Sequence, residues 1–208
     1  IDLRLALRAP LWRQGHLERL REIFRDAETL ARQFDETQRL DAVYSFLVQY
    51  HWAKGEYEDA IRYGQRCLET ADRRTDLGLR VTGLYYMGAS YQARGVFPRA
   101  LECFTEIIER LEGPAGRERF GLAGLPYSGA CALSAECLNE LGEHAQALDL
   151  IQRGQRVADA ADHLYSKIPL AIARGRVLIR QSPGDVIAPL EATVELVVQG
   201  FPAGADLR

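Results

Sequence analysis

Long hydrophobic runs are absent from this 208-residue sequence: none approaches the roughly 20 apolar residues that span a bilayer. No secretory leader is visible in it either. Cysteine is scarce, with Cys67, Cys103, Cys131 and Cys137 the only four. Each falls at a helical position where neighbouring segments carry small or aliphatic residues, which reads as a small buried side chain. Their spacing fits neither a disulfide framework nor a CxxC metal knuckle, and so points to a reducing, cytoplasmic setting. An excess of positive charge is missing as well. The net charge of -3 lacks the concentrated positive field that a nucleic acid or an anionic membrane surface requires. The basic groups at Arg73-Arg74 and around Arg117 to Arg119 have acids nearby and read as solvated faces. An apolar content of 47% nevertheless excludes a disordered chain. Opening at Ile1 and stopping at "PAGADLR", the sequence reads as a segment of something longer.

Catalytic signatures are lacking too. There is no GxxxxGK[ST] loop, no GxGxxG after a strand and no HExxH. His16, His51, His144 and His163 are scattered without paired metal-ligand spacing, and His51 sits where a later segment has Tyr91, which implies packing. Glu56, Glu58 and Asp59 cluster at the start of a helix, where carboxylates favourably oppose the helix dipole. No Ser, Cys or Thr has a nucleophile's setting. The expectation is no catalytic residue, no cofactor and no metal.

What the sequence does have is a period. The segments "WRQGHLERLREIF", "WAKGEYEDAIRYG", "QARGVFPRALECF", "NELGEHAQALDLI" and "RQSPGDVIAPLEAT" align on Gly15, Gly55, Gly95, Gly142 and Gly184, which are 40, 40, 47 and 42 residues apart. Five residues beyond each glycine stand Leu20, Ala60, Ala100, Ala147 and Pro189. Apolar residues recur at helical intervals on both sides, as in Leu84, Met87, Gly88 and Tyr91, then Ala100, Leu101, Phe104 and Ile107. A glycine ending the first helix can take positive φ without a Cβ penalty, so each is predicted to hinge a helical hairpin. Pro98 fits the first turn of such a second helix.

Leu84, Met87, Gly88 and Tyr91, followed by Ala100 and Phe104, resemble the tetratricopeptide pattern W-x2-L-G-x2-Y with A-x3-F. The period of 40 exceeds the standard unit of about 34, adding roughly one helical turn to each pair. The predicted fold is all-α, a right-handed α-solenoid of about five hairpins. Its units are 1–36, 37–76, 77–113, 127–162 and 163–200, with a loop at 114–126. The stretch around that loop, "EGPAGRERFGLAGLPYSGA" from Glu112 to Ala130, carries too much Gly and Pro for continuous helix. Phe120, Leu122 and Leu125 are too apolar for a solvated linker, so it is expected to fold back on the helices.

"RERFGLAGLPYS" at 117–128, "ADHLYSKIPLAIARGRVLIRQSPGDVIAPLE" at 161–191 and the opening "IDLRLALRAPLWRQGHLERLREIFRDAETLA" together resemble the tetratricopeptide-type region of large bacterial signalling regulators. In that family the region follows an AAA or STAND-type ATPase module, often with a class III adenylate or guanylate cyclase domain at the N-terminus. The resemblance implies a non-catalytic module that docks a protein, a peptide or neighbouring domains of its own chain on a concave face, with no nucleic acid and no membrane. A homodimer contact is a further possibility. The alternative is a peptide or small-ligand sensor governing the attached ATPase or cyclase. An enclosed apolar pocket would favour the sensor, an open face the docking platform.

Family logic places the concave positions 13, 10, 6, 3 and 2 residues before each hinge. They give Leu5, Ala9, Trp12 and Arg13; then Ser45, Gln49, Trp52 and Ala53; then Thr82, Tyr85, Ala89 and Gln92; then Ala132, Glu136, Asn139 and Glu140; and finally Arg174 and Leu178. The partner-binding candidates are Trp12, Arg13, Gln49, Trp52, Tyr85, Gln92, Glu136, Asn139 and Arg174. Trp12 and Trp52 are the only tryptophans and share one place in consecutive units. Trp is enriched among binding hot spots, so both are candidate anchors, with packing between units as the competing role.

Overall fold

A computed structural model of the chain describes residues 14–34 and 37–181, with Leu11 and scattered positions between 187 and 198. The predicted hinge at Gly184 and the neighbouring Pro189 lie outside the described residues. Eight α-helices are described: α1 Leu17–Gln33, α2 Thr37–Ala53, α3 Tyr57–Arg74, α4 Leu77–Ala93, α5 Phe97–Arg110, α6 Pro126–Glu140, α7 His144–Ala160 and α8 Leu164–Gln181. No strand occurs among the described residues, and no helix there is long and apolar enough to cross a membrane. The chain divides into two compact units, one up to Ser90 and one running from Tyr91 to Asp206.

One turn recurs in both units. Gly15, Gly55, Gly95 and Gly142 have φ of 71°, 76°, 74° and 85°. After α2, the Gly55 amide donates to the Trp52 carbonyl at 3.0 Å and the Glu56 amide to the His51 carbonyl at 2.9 Å. Gly95 to Gln92 and Val96 to Tyr91, both at 2.9 Å, repeat the pair after α4; Gly142 to Asn139 at 3.2 Å and Glu143 to Leu138 at 2.8 Å repeat it after α6. This is the Schellman arrangement, in which a left-handed residue lets two amides satisfy carbonyls that the helix end leaves unpaired. The next helix starts at once: the amides of Leu20, Ala60, Ala100 and Ala147 bond to the carbonyl of the residue just after each glycine. All four of these residues are completely buried. The small side chains among them are the points where the second helix meets its neighbours.

In the first unit, α1 packs on α2 and α2 on α3. The apolar stripe Leu20, Phe24, Ala27 and Ala31 of α1 is buried, with Phe24 stacked on Phe46 at 6.0 Å and edge-on to Tyr50 at 5.9 Å, both of α2. A polar knot fixes the register. The half-buried Glu28 carboxylate of α1 accepts from Arg32 at 2.9 Å, Arg66 at 3.1 Å and the Tyr63 hydroxyl at 3.2 Å. Arg66 also lies over the rings of Tyr44 and Tyr63, so the three helices share one charge-assisted network. Helices α3 and α4 cross at glycine: a Cβ on Gly83 would stand 2.8 Å from Cys67 Cβ and 3.1 Å from the Gly64 carbonyl oxygen.

In the second unit α6 is central, packing on α5, α7 and α8. Its residues explain the position. Tyr127, Ser128, Gly129, Ala130, Cys131, Ala132, Ser134 and Ala135 are all buried, so this helix is enclosed over most of its length, and Glu136 and Glu140 near its end reach solvent. By contrast α5 and α7 are amphipathic and bury single stripes, Ala100, Phe104, Ile107 and Ile108 on one and Ala147, Ile151, Gly154 and Ala158 on the other. The expected loop contains a 3-10 turn, Gly113–Arg117, which packs on α6 and α7. Phe120 and Gly121 then take successive left-handed conformations, φ 49° and 78°. Leu122 and Leu125 are buried, and the Leu125 amide donates to Ser166 Oγ of α8 at 2.8 Å.

Two glycine-to-alanine changes separate the two uses of glycine. Gly95 has nothing within 4 Å of a new Cβ, so Gly95→Ala is expected to lose about 1–2 kcal/mol from the left-handed backbone alone, and Gly95→Asn less. Gly83→Ala is expected to lose about 1–3 kcal/mol through overpacking against Cys67 and the Gly64 backbone, with no relief from Asn. Urea unfolding of the alanine and asparagine variants at both positions checks this.

Candidate functional site

Counting back from the hinges locates two groups of side chains, one in each unit. Trp12 and Arg13 lie outside the described residues. In the first unit, Gln49 and Trp52 come from α2 and Tyr85 from α4. Trp52 supplies the carbonyl that caps the Gly55 turn, which fixes its backbone. Its indole leans on the buried Tyr86 ring with centroids 5.4 Å apart, and Tyr86 meets Tyr85 edge-on, also at 5.4 Å. Even so, Trp52 is 38% exposed, while Gln49 and Tyr85 are half-buried. The structure thus gives Trp52 a packing partner on the next first helix and leaves a substantial part of the ring open.

In the second unit, Gln92, Glu136 and Asn139 come together at one end of α4, α6 and α8. Gln92 Nε2 donates to Glu136 Oε2 at 2.9 Å, and Arg176 Nη1 of α8 stands 2.9 Å from the same oxygen. One turn on, Arg180 Nη2 grips both oxygens of Glu140 at 3.0 and 2.9 Å, and its Nη1 donates to the Asn139 carbonyl at 3.2 Å. A cleft of about 280 Å³, open to solvent, lies among Gln92, Phe97, Glu136, Glu140 and Arg176. The Asn139 side chain is engaged within the fold: it is 3% exposed and its Oδ1 accepts from His144 Nδ1 at 3.0 Å across the Gly142 hinge.

Arg174 is exposed on α8, and the arginines that meet the acidic positions are Arg176 and Arg180. Counting from Gly184 does not find them, because the Glu140–Arg180 contact runs at a separation of 40 residues and that glycine lies 42 beyond Gly142. Opposite charges recurring 40 apart, Glu136 with Arg176 and Glu140 with Arg180, were the available signal.

Electrostatics distinguish the members of this group. The Arg180–Glu140 pair is nearly half exposed and screened by water, and pairs of that kind stabilise little. Glu136 differs, its side chain being 18% exposed. Burial pushes its carboxyl above the ordinary range; Arg176 and the Gln92 bond pull it back in part, and Glu140 adds to the rise. The four cysteines provide no thiolate: all are buried, and burial pushes each thiol up to about 12. No protein-family model and no curated protein matches this chain.

The direction at Glu136 sets a pH dependence. The folded chain holds this proton more tightly than the unfolded chain, so the associated stability is fully present below the unfolded pKa and is lost as pH rises through the folded one. Glu136→Gln, which copies the neutral form, is expected to melt higher than the wild type at pH 7.5, with the difference vanishing near pH 4. A variant that melts lower at pH 7.5 would show the Arg176 pair to be net stabilising. The cysteines give a second check: native protein is expected to leave a thiol reagent unconsumed, with all four thiols reacting only after unfolding.

Proposed function

We propose that this chain is a non-catalytic interaction module, a tetratricopeptide-like α-solenoid region of a bacterial signalling regulator. Its partner is a protein, a peptide or a neighbouring domain of the same protein, received on the face built by the first helix of each hairpin. The observation that carries this reading is Glu136. Its carboxyl is largely buried, held by Gln92 and Arg176 beside a solvent-open cleft and at a position counted from the hinge. Groups perturbed by burial and a charge partner at the edge of a cleft are candidates for binding. Exposed Trp52 adds an aromatic of the kind that anchors interfaces.

The docking reading is preferred to the sensor. The second unit's clefts, about 280 Å³ beside Glu136 and about 710 Å³ among Leu101, Ile108, Leu138 and Arg153, are both open to solvent, unlike the pockets that enclose a small molecule. A partner that presents hydrogen-bonding groups to Gln92, Glu136 and Arg176 fits the second unit's open cleft better than an enclosed ligand.

The test compares immobilised wild-type and Trp52→Ala chains against cytosolic proteins of the source cell. A set of proteins captured by the wild type should fall at least about tenfold on the variant, the scale of a hot-spot truncation, with the far-UV circular dichroism unchanged. Equal capture by both chains would refute the reading, and loss of helicity in the variant would assign Trp52 to packing against Tyr86.

A further inference from the structure

The turn after α2 gathers a donor set that no sequence motif announces. His51 lies in the last turn of α2, Glu56 is the residue just past the hinge glycine, and Asp59 is in the first turn of α3. The Schellman bonds at Gly55 fold these three positions onto one another. His51 Nδ1 stands 2.6 Å from Glu56 Oε2 and 3.8 Å from Asp59 Oδ2, and all three donor atoms lie within 4.8 Å of one another.

The geometry points to a binding site for one divalent transition-metal ion, zinc first, held by His51 Nδ1, Glu56 Oε2 and Asp59 Oδ2. Three observations carry it. The first is spacing: ligand atoms about 2.1 Å from a tetrahedral zinc stand about 3.4 Å from one another, and the observed 2.6 and 3.8 Å bracket that value. The second is pre-organisation. The His51 ring is 7% exposed, stacked face to face on Tyr63 at 5.2 Å and edge-on to Tyr50 at 5.2 Å, so its Nδ1 is aimed before any ion arrives. Asp59 is oriented likewise: Arg62 Nη2 holds its other oxygen, Oδ1, at 2.7 Å and leaves Oδ2 turned toward the imidazole. Such outer partners fix ligand geometry in metal sites.

The third is donor chemistry and access. One imidazole with two carboxylates is a borderline N,O,O set of the kind zinc and its first-row neighbours accept. The carboxylate side chains are 35% and 37% exposed, so an ion can enter from solvent and complete its coordination with water. Binding replaces the His51–Glu56 hydrogen bond: Nδ1 gives up its proton, and the neutral imidazole that ligates the ion carries its one N–H on Nε2. The ion would then tie the last turn of α2 to the first turn of α3 and brace the hinge. This inference stands apart from the docking reading and can fail without it.

The full chain, freed of any affinity tag and stripped with a chelator, is titrated with Zn²⁺ by calorimetry and with Co²⁺ by visible absorption. One saturable site is expected, with a shifted ¹⁵N resonance for the His51 ring. Glu56→Gln and Asp59→Asn, which leave the packed imidazole in place, should each weaken binding by about tenfold or more at unchanged helicity. Absence of saturable binding, or equal affinity in wild type and both variants, would overturn the assignment. The buried, protonated cysteines do not compete for the ion in the folded chain.

Discussion

Two hydrogen bonds around a left-handed glycine decide where most of the described side chains fall. The amide of the glycine reaches back three residues and the next amide five, so only three residues separate the end of the first helix from the start of the second. Because that geometry is repeated after α2, α4 and α6, positions at a fixed offset from the glycine occupy the same local environment each time. The residue five beyond it is buried without exception at Leu20, Ala60, Ala100 and Ala147. The position three before it supplies a capping carbonyl in Trp52, Gln92 and Asn139. A tightly closed hinge thus converts a spacing in the sequence into an address on the surface.

This is why much of the fold could be read in advance. A glycine with open space around it needs no knowledge of distant contacts, since its conformation is a local matter, and the helical periods on both sides are local too. The loop at 114–126 was legible for the same reason: glycine and proline break the helix, while Leu122 and Leu125 are too apolar to leave in water. What could not be read required partners far along the chain. The Gly64–Gly83 crossing looks, in sequence, like two ordinary helical positions, and only the approach of two backbones explains the missing side chains. Arg176 and Arg180 were missed because the count began from Gly184, and the ion pairs keep step with a 40-residue separation instead. The His51, Glu56 and Asp59 group was hidden for a simpler reason: each residue had an adequate local explanation, and only the closed turn puts their donor atoms together.

The two units use polar groups in different ways. Around Glu28 a carboxylate is met by two arginines and a tyrosine hydroxyl, so its lone pairs are used inside the fold and the network locks three helices in register. At Glu136 the same kind of group is buried enough to be disfavoured as an anion and yet borders an open cleft. The contrast is one of surroundings: Glu28 is enclosed by its three partners, whereas Glu136, bonded by Gln92 and Arg176, also faces solvent through the cleft.

The hinge is the claim on which these addresses rest, and backbone amide hydrogen exchange tests it most directly. If the turns are closed as described, the amides of Glu56, Val96 and Glu143, each the first residue beyond a glycine, should exchange as slowly as those in the adjoining helices. Exchange of those three amides at the rate of an unstructured peptide, while the helices on both sides remain protected, would mean that the turns are open and that counting from the glycines has no structural basis.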